Sequence, residues 1–131
     1  MSTVPLKKTG SNFRVSICGV RLYLLPIQTR VPLKFGSETL TSVTCARACV
    51  TVESANGDRH EGWGETPISV QWAWPSTAGY TERYDRLVEF CHILAKEWAD
   101  FSVKGHPLEI GHEFQKDRLA TVLAASVSYT H

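Results

Sequence analysis

The spacing of apolar residues changes once along the chain, and the change divides it in two. Up to residue 65 apolar side chains recur at every second position, the period of strands. Residues 14–27 form the first such stretch. Val15, Ile17 and Tyr23 alternate there with Val20, Leu22 and Leu24, and Pro26 is expected to end regular pairing. Residues 28–39 contain Pro32 and Gly36 and read as an irregular connection. In residues 40–53, Ala46, Ala48, Val50 and Val52 are small or apolar, whereas Arg47, Thr51 and Glu53 occupy the opposite face. One dry side and one wet side is the pattern of an antiparallel sheet. Asn56-Gly57, within residues 54–58, supplies the positive φ angles of a tight hairpin, and residues 59–65 return as a third strand.

Beyond residue 65 the period lengthens. Residues 66–80 hold two prolines, a glycine and two tryptophans and read as a long loop. Thr81 is a plausible N-cap, with Glu82 in the first turn where a carboxylate suits the helix dipole. Tyr84, Leu87, Val88, Cys91, Leu94 and Trp98 then share one helical face. Lys104-Gly105 and Pro107 give a stop signal, and a second helical pattern carries Phe114, Leu119, Val122 and Leu123 toward Ala125. Strands followed by helices make the class α+β: a three-stranded antiparallel meander, then a small helical bundle. The boundaries are a flexible tail at 1–13, a sheet at 14–65, a loop at 66–80 and helices at 81–127.

Composition narrows the class of function without naming one. A chain of 131 residues can bury a real core, and a net charge of +1 creates no field to gather nucleic acid or anionic lipid. No apolar run approaches the roughly 18 residues of a membrane span, and the first ten residues lack the apolar stretch of a secretory signal. Cys45 and Cys49 lie four apart in a strand, about 13 Å between Cα atoms, beyond disulfide reach. All four cysteines are therefore expected to be reduced and mostly buried, in a cytoplasmic protein.

The motifs that would carry chemistry fail one at a time. Gly62-Trp63-Gly64-Glu65-Thr66-Pro67 lacks the third glycine of a dinucleotide loop, and Pro67 interrupts the strand-to-helix passage. In His112-Glu113-Phe114-Gln115-Lys116, a lysine stands where a zinc helix needs its second histidine. His60 beside Glu61 reads as an exposed cross-strand contact. The tryptophans suit base stacking, but the chain lacks the basic excess that phosphate contacts require. No catalytic or metal-binding constellation is expected.

The order of features resembles a known family. Arg30-Val31-Pro32-Leu33-Lys34-Phe35-Gly36 stands between the first two strands, an Asn-Gly turn follows the second, and Gly62-Trp63-Gly64-Glu65 closes the third. This is similar to the N-terminal capping domain of the mandelate racemase and muconate lactonizing enzyme group of the enolase superfamily. The resemblance covers residues 14–105. It implies a cap over a (β/α)7β barrel that would hold Mg²⁺ and the acid/base residues of a lyase, racemase or cycloisomerase acting on a carboxylate. It places two substrate-facing loops at residues 30–38 and from Gly64-Glu65 onward. Arg30 and Lys34 would meet a carboxylate or be solvated, and Pro32 would set the loop path. Phe35 would wall the pocket or pack beneath the loop. Glu65 is the better candidate for contact at a strand end, whereas Trp63 is expected in the core. The segment around Trp72 and Trp74 departs from the family pattern and reads either as a specialised lid or as a subunit contact.

A barrel needs about 200 residues. Only twenty-six follow Gly105, so the barrel's ligands have no counterpart here. Alone, the chain is expected to bind no cofactor and to turn nothing over. Without its barrel it is expected to associate with itself through uncovered apolar surface. The alternative is a free-standing, non-enzymatic oligomerisation or small-ligand-binding domain.

Overall fold

The computed structural model describes residues 13–36, 38–73 and 77–128. The expected flexible tail lies outside them except for Phe13, as do Trp74 and the side chain of Phe35. Three strands, β1 (Val15–Phe35), β2 (Glu38–Ser54) and β3 (Arg59–Pro67), form an antiparallel sheet in the order β1-β2-β3. Helices α1 (Val70–Ala73), α2 (Tyr80–Ala99) and α3 (Pro107–Phe114) follow, then a π-helical turn (Gln115–Leu119) and α4 (Ala120–Ser128). The class is α+β, as the change of period requires.

A bulge at Cys18 reconciles the two apolar registers of β1. Ile17 pairs with Val52 but Gly19 pairs with Thr51, so one residue of β1 has no counterpart in β2. Odd positions before the bulge and even positions after it therefore share a face. Val15 and Ile17 join Val20 and Leu22 toward the helices, opposite Val52, Val50 and Ala48. At the other end of β2, the Asn-Gly turn closes as expected. Gly57 has φ +86°, its N–H donates to Ser54 O at 3.0 Å, and Ser54 N–H donates to Asp58 O at 2.9 Å.

The first connection differs from expectation. Residues 28–39 are not an irregular loop, because β1 and β2 run on as a hairpin in which Leu33, Lys34 and Phe35 pair with Leu40, Thr39 and Glu38. Gly36 turns it at φ +59°. Pro26 pairs with Thr44 without ending the strand. An edge strand leaves one row of N–H groups without a ladder partner, so a proline there costs little. Pro32 falls in the stretch between Gln28 and Leu33 where the register slips. The third strand also exceeds its expected end: Thr66 and Pro67 still pair with Ala46 and Cys45. Inside the loop at 66–80, Ile68 and Val70 are buried and α1 forms one short turn. Helix α2 starts from Gly79 with no side-chain cap, not from Thr81, and stops at Ala99.

The packed core sits at one corner. Phe101, Ile110 and Phe114 are buried there, with Val15, Ile17, Leu94, Trp98 and Leu119 against them. Trp98 and Phe114 stack with ring centroids 3.7 Å apart, and Phe101 meets Phe114 edge-on at 5.3 Å. The chain is tied down beside this cluster by a bridge between Val15 and Gly105, with N–H···O distances of 2.9 and 3.1 Å. His106 then opens α3 through a capping box: its Nδ1 accepts from Leu108 N–H at 3.2 Å, and Glu109 accepts from His106 N–H at 3.0 Å. Away from this corner the cover is thin, for no residue of α2 is fully buried.

The four cysteines are free. Cys45 and Cys49 are buried, Cys91 is half-buried and Cys18 is exposed at the bulge. Burial pushes the thiols of Cys45 and Cys91 up from the ordinary range, and the nearby Glu65 carboxylate adds to the effect at Cys45.

Two outcomes follow from this packing. Phe114→Ala should lose about 3–5 kcal/mol in urea unfolding, as for other buried aromatics, and a loss under about 1 kcal/mol would move the core elsewhere. At pH 8 a disulfide reagent should modify Cys18 at least about tenfold faster than the other three thiols, and one common rate would contradict their burial. The raised thiols also set a sign for stability. It is fully present below about pH 8.5, where unfolded thiols are still protonated, and falls as pH rises, because the unfolded chain ionises first.

Candidate functional site: an apolar groove and a charged aromatic face

Between the sheet and the helical layer lies a groove of about 480 Å³. Its floor is the even face of β2, where Ala46 and Ala48 are too small to fill the space beneath α2. Cys91, Leu94, Ala95 and Trp98 of α2 form its roof, and Pro107 and Ile110 close the end nearest the core. The opposite side stays open. All nine residues of β3 are exposed, and a Cβ added at Gly62 or Gly64 would meet nothing within 4 Å. Thr66 brings a polar group to this otherwise apolar lining, which Glu65 borders while its carboxylate turns to Arg47 on the other face. At one end of the helix, Thr44 and Tyr84 join hydroxyls at 2.8 Å and fix α2 to β2.

The outer face of the sheet is different in kind. Its strands carry a row of alternating charges and rings, set by registers that place Arg47 opposite Glu65 and Cys49 opposite Trp63. Arg47 Nε donates to Glu65 Oε2 at 2.5 Å, Arg21 donates to Glu61 Oε1 at 2.6 Å, and Arg59 Nε donates to Glu53 Oε2 at 3.1 Å. Tyr23 stacks on Trp63 at 5.9 Å, and the Arg21 guanidinium lies 5.8 Å from the Trp63 ring centre. Arg21 also donates to Cys49 Sγ at 3.2 Å, and Cys49 is fully buried on the middle strand. This hydrogen bond and then the Glu61 charge hold the Arg21 guanidinium more firmly protonated than usual. The Arg59 pKa is raised in the same direction, first by its hydrogen bond to Glu53. Each pair is exposed, so each contributes little to stability and acts mainly in ordering the face.

The sequence-derived candidates do not converge. Arg30, Pro32 and Lys34 are exposed on the hairpin extension of β1, and Phe35 lies at its tip. Trp72 is 72% exposed on α1. Glu65 is the one of the six that lines the groove, and it also pairs with Arg47. Trp63 was expected in the core but is 58% exposed, because it projects from the outer face of an edge strand. The Arg21, Tyr23 and Arg47 ladder was missed. Its signal was available: these residues, Glu61, Trp63 and Glu65 all occupy odd positions, and the Asn-Gly turn fixes how β2 and β3 align. Among the described residues no group of three or more His, Cys, Asp or Glu side chains is placed to hold a metal ion. No helix among them is long and apolar enough to cross a membrane.

Comparison with known proteins overturns the resemblance to the enolase superfamily. The chain is 28% identical over 82 residues to the pyrimidine monooxygenase RutA of Cronobacter turicensis, and 28% identical over 82 residues to that of Cronobacter sakazakii. The matched segment is 57% of this chain but only 22% and 24% of those two proteins. No protein-family model and no solved structure matches the chain. The phrases that carried the earlier resemblance have local explanations: Gly36 is a hairpin tip at positive φ, and residues 30–35 belong to strand β1, with Leu33, Lys34 and Phe35 paired to β2, not to a loop over a barrel mouth. The capping role and its lyase, racemase or cycloisomerase chemistry are corrected accordingly, and the relatives lend nothing to a non-enzymatic module. The similarity found for this chain runs to pyrimidine monooxygenases, over about a fifth of their length.

Proposed function

We propose that this chain forms part of an oxygenase acting on small nitrogen heterocycles of the pyrimidine class, with the groove as one wall of the ring-binding site. The similarity to pyrimidine monooxygenases carries this reading, and the groove gives it a location. At about 480 Å³ the groove falls within the 300–1,000 Å³ typical of small-molecule sites. A planar ring would lie between the small side chains of Ala46 and Ala48 and the aromatic and aliphatic roof of α2. Thr66, on the inner face opposite Ala46, offers a hydroxyl to hydrogen-bond ring N–H or C=O groups. No residue of this chain is assigned the chemical step. The reading includes a cytoplasmic setting, supported by four free thiols.

Isothermal titration of the chain with uracil tests the reading. Saturable heat is expected, weakened at least about tenfold, or 1.4 kcal/mol, by Ala48→Phe, which fills the groove. Val31→Ala, on the exposed hairpin, should leave binding unchanged. An absence of binding heat, or equal binding by the groove-filled variant, would exclude the groove as a pyrimidine site.

A further inference from the structure

We propose that β3 is a self-association edge, at which a second copy of this chain adds its own β3 antiparallel to form a six-stranded sheet. This is independent of what the groove binds. The sheet has two edges, β1 and β3, and they are built differently. The β1 edge carries Pro26 and Pro32, a bulge at Cys18 and a register slip between Gln28 and Leu33, and at its start it is covered by the bridge to Gly105. These are the devices that keep an edge strand from pairing further. Among the described residues the β3 edge has no bulge, register slip or covering bridge. It pairs with β2 over nine residues without a bulge, its one proline is the last residue, and every residue is exposed.

Charge then selects one register. A two-fold axis normal to the sheet keeps the same face upward in both copies, so each residue lies opposite one of matching odd or even number. Centred on Gly62, the pairing places Arg59 opposite Glu65 of the second copy, His60 opposite Gly64, and Glu61 opposite Trp63. Arg59 already meets Glu53, and Glu65 already meets Arg47. The dimer thus extends these pairs into an alternating row across four strands: Glu53 and Arg59 of one copy, then Glu65 and Arg47 of the other. The two Trp63 rings become diagonal neighbours, a spacing that aromatic side chains can span. Each neighbouring register fails. Centring on Trp63 sets Glu61 against Glu65, and centring on Glu61 sets that carboxylate against itself; like charges directly opposite destabilise a sheet. On the inner face, the two Gly62 residues place no side chain on the axis, and each Gly64 leaves room for the opposing His60, so the groove floors approach each other across the axis.

Light scattering at high micromolar concentration should give twice the mass of the chain. Cysteine substitution fixes the register, in a Cys18→Ser background that removes the exposed native thiol. Opposed residues at the dimer axis lie about 4.5–5.5 Å apart at Cα, so Gly62→Cys should oxidise to a covalent dimer. In the same register two Gly64→Cys residues stand four positions apart along the strands, roughly 13 Å, and should stay reduced. Both sites have room for a side chain, and a far-UV spectrum matching the parent confirms folding. A monomer throughout, or a dimer in which folded Gly62→Cys fails to cross-link or Gly64→Cys links as readily, would overturn the proposal.

Discussion

The stacking of Trp98 on Phe114, with Phe101 edge-on beneath, is the contact on which the rest of the architecture depends. It is the place where α2, α3 and the start of the sheet meet in a buried cluster. The Val15–Gly105 bridge and the His106 capping box hold α3 in the right place for Phe114 to reach it. Because the helical layer is anchored at this corner, α2 lies over the sheet as a lever fixed at its C-terminal end, with the Thr44–Tyr84 hydroxyl contact near the other. What lies between is a span of sheet with small side chains, and that span is the groove.

The two faces of the sheet divide the labour. The inner face is apolar and incompletely covered, which gives space for a ligand. The outer face carries three arginine–carboxylate pairs and a stacked aromatic pair, which keeps its exposed strands ordered and in register. Glu65 sits at the border of the groove, but its carboxylate belongs to the outer face, where it pairs with Arg47. An edge that is open, straight and charge-patterned lies between the two faces, so any association through β3 would act on the groove mouth and on the ladder together.

The misreadings share a cause. Prolines and a glycine made residues 28–39 resemble a loop, but an edge strand tolerates proline and a hairpin needs a glycine at its tip. The short phrases that suggested an enolase-superfamily cap combine a turn glycine with small strand residues, features that any antiparallel meander with a tight turn can carry. Trp63 looked like core because strand aromatics usually pack, and it is exposed because it projects from the outer face of an edge strand, away from the helices.

The α+β class, the Asn-Gly hairpin and the amphipathic helix were determined by the sequence, since each depends on local φ preferences or on the period of apolar residues. The two-sided character of β2 was legible for the same reason: alternation survives wherever a strand is regular. The tertiary structure decided the rest. The apolar residues of β1 fall on both odd and even positions, and a pattern alone cannot say which set is buried. The bulge at Cys18, forced by pairing with β2, puts both sets on one face. Neither the groove nor the ladder is a property of any one segment. The groove depends on how far α2 reaches across the sheet, and the ladder on which residues register opposite one another, both set by contacts between segments far apart in the chain.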